Sequence, residues 1–223
     1  MEKLIDSYGR QIVYLRISLT DRCNFRCIYC SPSESKFRFI EHEQILRFEE
    51  ILEIANAAVE MGITKIRLTG GEPLVRKGVV GFIRQLRQIG GLEDISMTTN
   101  GFFLSEMAQS LKSAGLDRVN ISLDSLDREK FKAITGFDGL PKVREGIDAA
   151  LREGLTPVKI NVVLLKGIND DEIENFIKLT IAQPLNVRFI ELMPTNQVLK
   201  KITADHFISA KKFRKKFREN SRI

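Results

Sequence analysis

The chain has 223 residues, 43% of them hydrophobic and 29% charged, with a formal net charge of +6. That composition suits one large globular core and excludes a collagen-like, low-complexity or disordered chain. No apolar run is long enough to span a membrane, and the basic excess lies from Lys200 onward, so the body is nearly neutral and does not read as a nucleic-acid binder.

Short β-branched runs alternate with longer helical patterns. Ile12 to Ser18 reads as a strand, and Phe48 to Met61 as a helix with Ile51, Leu52, Ala55, Ala58 and Val59 at helical spacing, stopped by Gly62. Lys65 to Thr69 is a strand broken by Gly70-Gly71, and Val79 to Ile89 a helix. A strand at Ile95–Thr98 ends in Asn100-Gly101, and a helix at Ser105–Ala114 is capped by Gly115. A strand at Arg118–Leu123 precedes two helices, Arg128–Thr135 and Lys142–Glu153. Pro157–Leu164 then reads as a strand, Asp171–Ile181 as a helix and Val187–Leu192 as the last strand.

Six strands separated by helices imply an α/β fold with a parallel sheet and right-handed crossovers. The unusual residues nearly all follow strand ends: the cysteines, Gly-Gly-Glu-Pro, Thr-Asn-Gly, Asp124-Ser125 and Met193-Pro194. Residues contributed by many strand ends around one mouth are the barrel arrangement. The expected fold is therefore a partial, open, six-stranded TIM-type parallel β/α barrel over residues 1–199, with a basic helical tail over 200–223. In that tail Phe213 and Phe217 are four apart, with Ala210 on the same face. Its plain reading is a solvated helix whose apolar stripe packs on the barrel.

All the cysteine of the chain falls in eight residues: Cys23, Cys27 and Cys30. An odd count in a chain without a secretory signal argues against a disulfide framework and for reduced thiols in the cytoplasm. Three thiolates in one loop can hold three irons of a four-iron cluster and leave the fourth open to a ligand that is not cysteine. A Cys₃His zinc site is the rival, with His42 or His206 as the fourth ligand.

Six ordered stretches extend the motif: Leu15–Asn24 after Gly9-Arg10, Ile66–Leu74, Thr98–Gly101, Arg118–Asp127, Lys159–Val162 and Arg188–Pro194. On these the chain resembles the radical S-adenosylmethionine (SAM) enzymes and, within them, the GTP 3′,8-cyclase family of molybdenum-cofactor biosynthesis. The resemblance implies a [4Fe–4S] cluster on Cys23, Cys27 and Cys30, with SAM on the open iron. It also implies a 5′-deoxyadenosyl radical that abstracts hydrogen from the ribose of the substrate.

SAM contacts are implied for Tyr29, for Gly70, Gly71 and Glu72, and for Ser122 and Met193. Without the resemblance, Tyr29 would shield a cluster and Met193 would be core. GTP contacts are implied for Arg16, Arg67, Thr98 and Lys159. The three cations stand in strands expected to be buried on both faces, where each needs a polyanion or a local carboxylate such as Glu72 or Glu191. The implied partners are GTP or a related triphosphate, a low-potential electron donor of flavodoxin or ferredoxin type, and a second copy in a homodimer, with no membrane and no nucleic acid. The family also carries, beyond the stretches matched here, a second three-cysteine cluster that reads the guanine, whereas no cysteine follows Cys30. The alternative reading is a paralogue or fragment that keeps the cluster and SAM site but not the base site.

Overall fold

The computed structural model describes residues 3–31, 39–193 and 200–214. The strands are β1 (Tyr14–Ser18), β2 (Lys65–Thr69), β3 (Asp94–Thr99), β4 (Arg118–Ser122), β5 (Val158–Leu164) and β6 (Leu185–Glu191). The helices are α1 (Phe48–Glu60), α2 (Val79–Arg87), α3 (Leu104–Ser113), α4 (Arg128–Thr135), α5 (Leu140–Arg152), α6 (Ile173–Ala182) and α7 (Lys200–His206). The six strands form one open sheet in chain order, the partial barrel layout expected from the alternation of elements. Contacts divide the chain into two units. One holds β1 to β4 with α1, α2, α3 and α5, and the other holds α4, α6, α7, β5 and β6.

In the first unit β1, β2, β3 and β4 pair in parallel, and the register sorts their side chains by chemistry. Ile17, Leu68, Met97 and Val119 stand in one row, and Arg16, Arg67, Ser96 and Arg118 in the next. Residues in register point to the same side of a sheet, and neighbours along a strand point to opposite sides. One face is thus apolar, and Ile66, Leu68, Ile95, Met97, Val119 and Ile121 on it are fully buried. Each such side chain contributes roughly 1.5–3 kcal/mol by leaving water.

The opposite face is polar; Ser96 of β3 and Asn120 of β4 on it are fully buried, but on β1 and β2 it is not, which corrects for those two strands the expectation of burial on both sides. Tyr14, Arg16 and Ser18 of β1 are exposed and Arg67 of β2 is half-buried. The physical reason lies in the alternation itself. In Lys-Ile-Arg-Leu-Thr only every second side chain is apolar, so helices can close over one face alone.

The second unit is built on two apolar clusters. Ile134, Leu165 and Leu192 form one, with Ile28 and Tyr29 packed against it. Leu164, Ile173 and Ile208 form the other, with Phe189 and Phe213 at its side. Asp127 caps α4 by accepting from the Lys130 backbone N–H, and Gly136 ends the helix in the left-handed conformation at φ 68°. The Phe213 ring lies 5.5 Å from that of Phe189, and the Ala210 N–H donates to Glu191 Oε1 at 2.5 Å. The basic segment thus begins as a helix packed by its apolar stripe. Pro194 and the run Lys215–Arg218, with Phe217, lie outside the described residues.

Gly146 shows how tightly the first unit is packed. It lies inside α5, where alanine ordinarily stabilises a helix by about 0.5–1 kcal/mol over glycine. A Cβ here would stand 2.3 Å from the Gly101 carbonyl oxygen and 3.1 Å from Leu104 Cβ. Gly146→Ala is therefore expected to reverse the usual sign and destabilise by about 1–3 kcal/mol, read as a lower midpoint in urea denaturation.

A three-cysteine loop as candidate cofactor site

Cys23 belongs to the first unit. The segment Thr20–Arg22 before it runs beside Gly70–Glu72 as a continuation of the β1–β2 ladder. The Gly71 N–H donates to the Thr20 carbonyl at 2.6 Å and the Glu72 N–H to the Arg22 carbonyl at 2.8 Å. The two glycines make this approach possible. A Cβ on Gly70 would lie 2.3 Å from the Thr20 carbonyl oxygen, and one on Gly71 would lie 2.2 Å from that of Arg22. The close contact that Gly-Gly announces in the sequence is first of all one between two parts of the chain.

Glu72 is wholly buried. Its carboxylate accepts from the Leu74 N–H at 3.0 Å, the Thr99 hydroxyl at 2.8 Å and the Asn100 N–H at 2.6 Å. Burial pushes its pKa from 4.5 up to about 7, against the pull of those three donors. Asn100 passes the connection on: its Nδ2 donates to Asn24 Oδ1 at 2.7 Å and lies 3.9 Å from Cys23 Sγ. Asn24 Nδ2, next to Cys23, is buried and has no acceptor among the described residues.

Cys27, Tyr29 and Cys30 belong to the second unit. The Arg26 and Ile28 N–H groups donate to the Thr135 and Ile134 carbonyls at 2.8 and 2.9 Å, tying the loop to the end of α4. Phe25 lies at 5.6 and 5.8 Å from the rings of Phe137 and Phe131. The Cys30 N–H closes a turn on the Cys27 carbonyl at 2.9 Å. The Tyr29 hydroxyl donates to Asp124 Oδ2 at 2.5 Å, while Asp124 Oδ1 accepts from the Val163 N–H at 2.7 Å. Burial lifts the Asp124 pKa to about 6 and raises that of Tyr29 well above its ordinary value. Tyr29 thus stays a neutral donor at physiological pH. None of the three cysteines is in a disulfide, and among the described residues no three His, Cys, Asp or Glu side chains stand together as a metal-holding group.

The remaining candidates divide between the units. Arg16, Arg67 and Thr98 share the polar face of the first unit; Arg67 Nε donates to Ser96 Oγ at 3.3 Å, and its guanidinium stands 5.4 Å from the Tyr14 ring centre. In the second unit Lys159 and Ser122 are half-buried and Met193 is 66% exposed. The motifs point to neither Asp124 nor Asn120 as a site residue. Asn120 is in register with Thr98 and fully buried, with neither amide atom bonded within the described protein. A polar residue between Val119 and Ile121 is its signal in the sequence. Thr20, Arg22, His42, Arg47, Arg76 and Lys77 line a cavity of about 490 Å³ beside the Cys23 segment.

The raised pKa of Glu72 fixes a sign. Between pH 4.5 and about 7 the folded chain holds a proton that the unfolded chain has released. The corresponding stability is complete below that window and is lost as pH rises through about 7, on the order of 3 kcal/mol in all. Glu72→Gln is expected to remove this component. Urea unfolding of both proteins from pH 5 to 8 checks it, the difference in their slopes being the readout.

The radical SAM superfamily model matches residues 17–180. The GTP 3′,8-cyclase of Petrotoga mobilis is 54% identical over 211 residues, covering 95% of this chain and 65% of that protein. The GTP 3′,8-cyclase of Moorella thermoacetica is 57% identical over 189 residues, covering 85% and 58%. The chain thus spans about 65% or less of the length of these curated relatives. Among solved structures, the [FeFe]-hydrogenase maturase HydG aligns with TM-score 0.67 at 16% identity, over 91% of this chain and 48% of its own. Coproporphyrinogen III oxidase (HemN) from Escherichia coli, a radical SAM enzyme, aligns at 0.63 and 14%, over 92% and 50%. These two show the fold alone. With the family model spanning most of its length, the chain belongs to the radical SAM superfamily.

Proposed function

We propose that the chain holds one [4Fe–4S] cluster through Cys23, Cys27 and Cys30, binds SAM beside it, and works on GTP or a related nucleoside triphosphate, as a GTP 3′,8-cyclase of molybdenum-cofactor biosynthesis does. The observation that carries this reading is the three-thiol loop at the strand end of a radical SAM chain, bonded along the Gly-Gly-Glu segment. The donor set fits the cluster by its chemistry: three cysteines outside any disulfide, and next to Cys23 a buried amide N–H with no acceptor among the described residues. When bound, cluster and SAM supply a 5′-deoxyadenosyl radical for hydrogen abstraction.

The residues of the chain bind and orient. Tyr29, its hydroxyl fixed by Asp124, keeps a set ring position for the adenosyl group, and Ser122 and Met193 add polar and apolar contact. Gly70, Gly71 and Glu72 form the segment for the methionine end of SAM. The Glu72 carboxylate is committed to three donors within the protein, so Glu72 serves by holding that segment in shape. Arg16 and Arg67, with Thr98 on the same polar face, suit the phosphates of a triphosphate, and the likeness to the cyclase family assigns Lys159 the same role.

The cationic cavity beside Cys23 suits an acidic, low-potential electron donor. Among the described residues no helix is long and apolar enough to cross a membrane. Cysteines outside any disulfide and a reducible cluster fit a reducing cytoplasm.

Anaerobic reconstitution of the 223-residue chain is expected to load about four iron and four sulfide, and any one Cys→Ala change to leave a labile cluster. The reduced protein is expected to release 5′-deoxyadenosine from SAM. Stoichiometric zinc without iron, or a full reduced cluster that yields no 5′-deoxyadenosine, would overturn the reading.

A second expectation concerns the base. Cationic side chains read phosphate and not purine, so equilibrium binding at fixed low salt should find GTP and ATP held alike, within a few-fold. Strong selectivity for GTP would show that these residues also read the guanine.

A further inference from the structure

We infer that Asn100 and Asn24 form the hydrogen-bonding shell of Cys23 and raise the reduction potential of the cluster that Cys23 holds. This rests on the cluster reading above. Asn100 is a positioning residue: it acts on the cluster through Cys23. Its amide orientation is fixed from three sides. Its backbone N–H is bound by Glu72, its Oδ1 accepts from the Phe102 N–H at 3.0 Å, and its Nδ2 donates to Asn24 Oδ1 at 2.7 Å. With Oδ1 engaged in that turn, the amide cannot flip, and Nδ2 is held at 3.9 Å from Cys23 Sγ.

Asn24 completes the shell. Its Oδ1 is taken by Asn100, which leaves its Nδ2 as a buried donor with no acceptor among the described residues. A buried N–H of this kind costs free energy until something accepts from it. Metal-bound thiolate and the sulfide of a cluster are electron-rich acceptors in a place where no carboxylate or carbonyl serves. Donors at cluster sulfurs stabilise the reduced, more negative state more than the oxidised one, which raises the potential. Such a shell also explains why Asn100 is held by the buried Glu72: a small rotation of the amide would move the donor off the sulfur.

The test is the midpoint potential of the reconstituted full chain without SAM, followed by electron paramagnetic resonance. Asn100→Leu, which keeps the volume, and Asn24→Ala are each expected to load the same iron as the parent and to shift the midpoint to a more negative value. An unchanged midpoint at equal iron content in both variants would overturn the proposal. Should the variants not fold by circular dichroism, the parent labelled with ¹⁵N at the asparagine side-chain amide decides. A hyperfine coupling from that nitrogen to the reduced cluster supports the shell, and its absence overturns it. A parent protein that takes up no iron overturns the cluster reading itself, a result separable from the loss of a shift.

Discussion

One buried carboxylate organises the first unit of this chain. Among the described residues no cation pairs with Glu72; it is held by three N–H and O–H donors drawn from the segment after β2 and the end of β3. A carboxylate taken out of water is costly unless its lone pairs are filled, so the chain around it must present those donors at fixed places. Thr99 and Asn100 therefore cannot wander, and neither can the Gly-Gly segment from which Glu72 springs. Through its own backbone N–H, Glu72 also grips the Arg22 carbonyl, one residue before Cys23. A single group thus aligns two strand ends and the start of the cysteine loop.

The loop itself is held at both ends by different means. Before Cys23 it is held by backbone ladder bonds that two glycines make room for. After Phe25 it is held by aromatic packing on α4 and by the Tyr29–Asp124 bond. Hydrogen bonds set distance and direction at both ends; at the second, ring contact and burial also set depth. Cys23 lies between the two anchors, and Cys27 and Cys30 follow Phe25.

Much of this is legible in the amino-acid order alone. Every predicted strand and helix is present with its ends moved by no more than two residues, because periodicity and glycine stops are local signals. The cysteine spacing is equally local. Arg67 is misread when a rule about parallel sheets in general is set above the alternation visible in Lys-Ile-Arg-Leu-Thr. Glu72 reads as a ligand group or the counterion of an arginine; its true donors include Thr99 and Asn100, 27 and 28 residues away. Asp124 reads only as a strand-end residue, since the partner that gives it a role, Tyr29, is 95 residues distant. Chemistry that depends on which chain segment arrives opposite is not written within a motif.

The two-row register of β1 to β4 also says where a chain of this fold can change length. Arg16, Arg67 and Ser96 face one way and Ile17, Leu68 and Met97 the other, so the polar or apolar face of each strand is stored as odd or even position. One residue inserted within β2 would turn Ile66 and Leu68 toward the polar face and drive Arg67 under the helices; two would restore the faces but displace the row. Length variation is thereby barred from the strands. It can accumulate only where parity carries no meaning, in the connections between strands and helices, where segments can be gained or lost without turning any side chain to the wrong face.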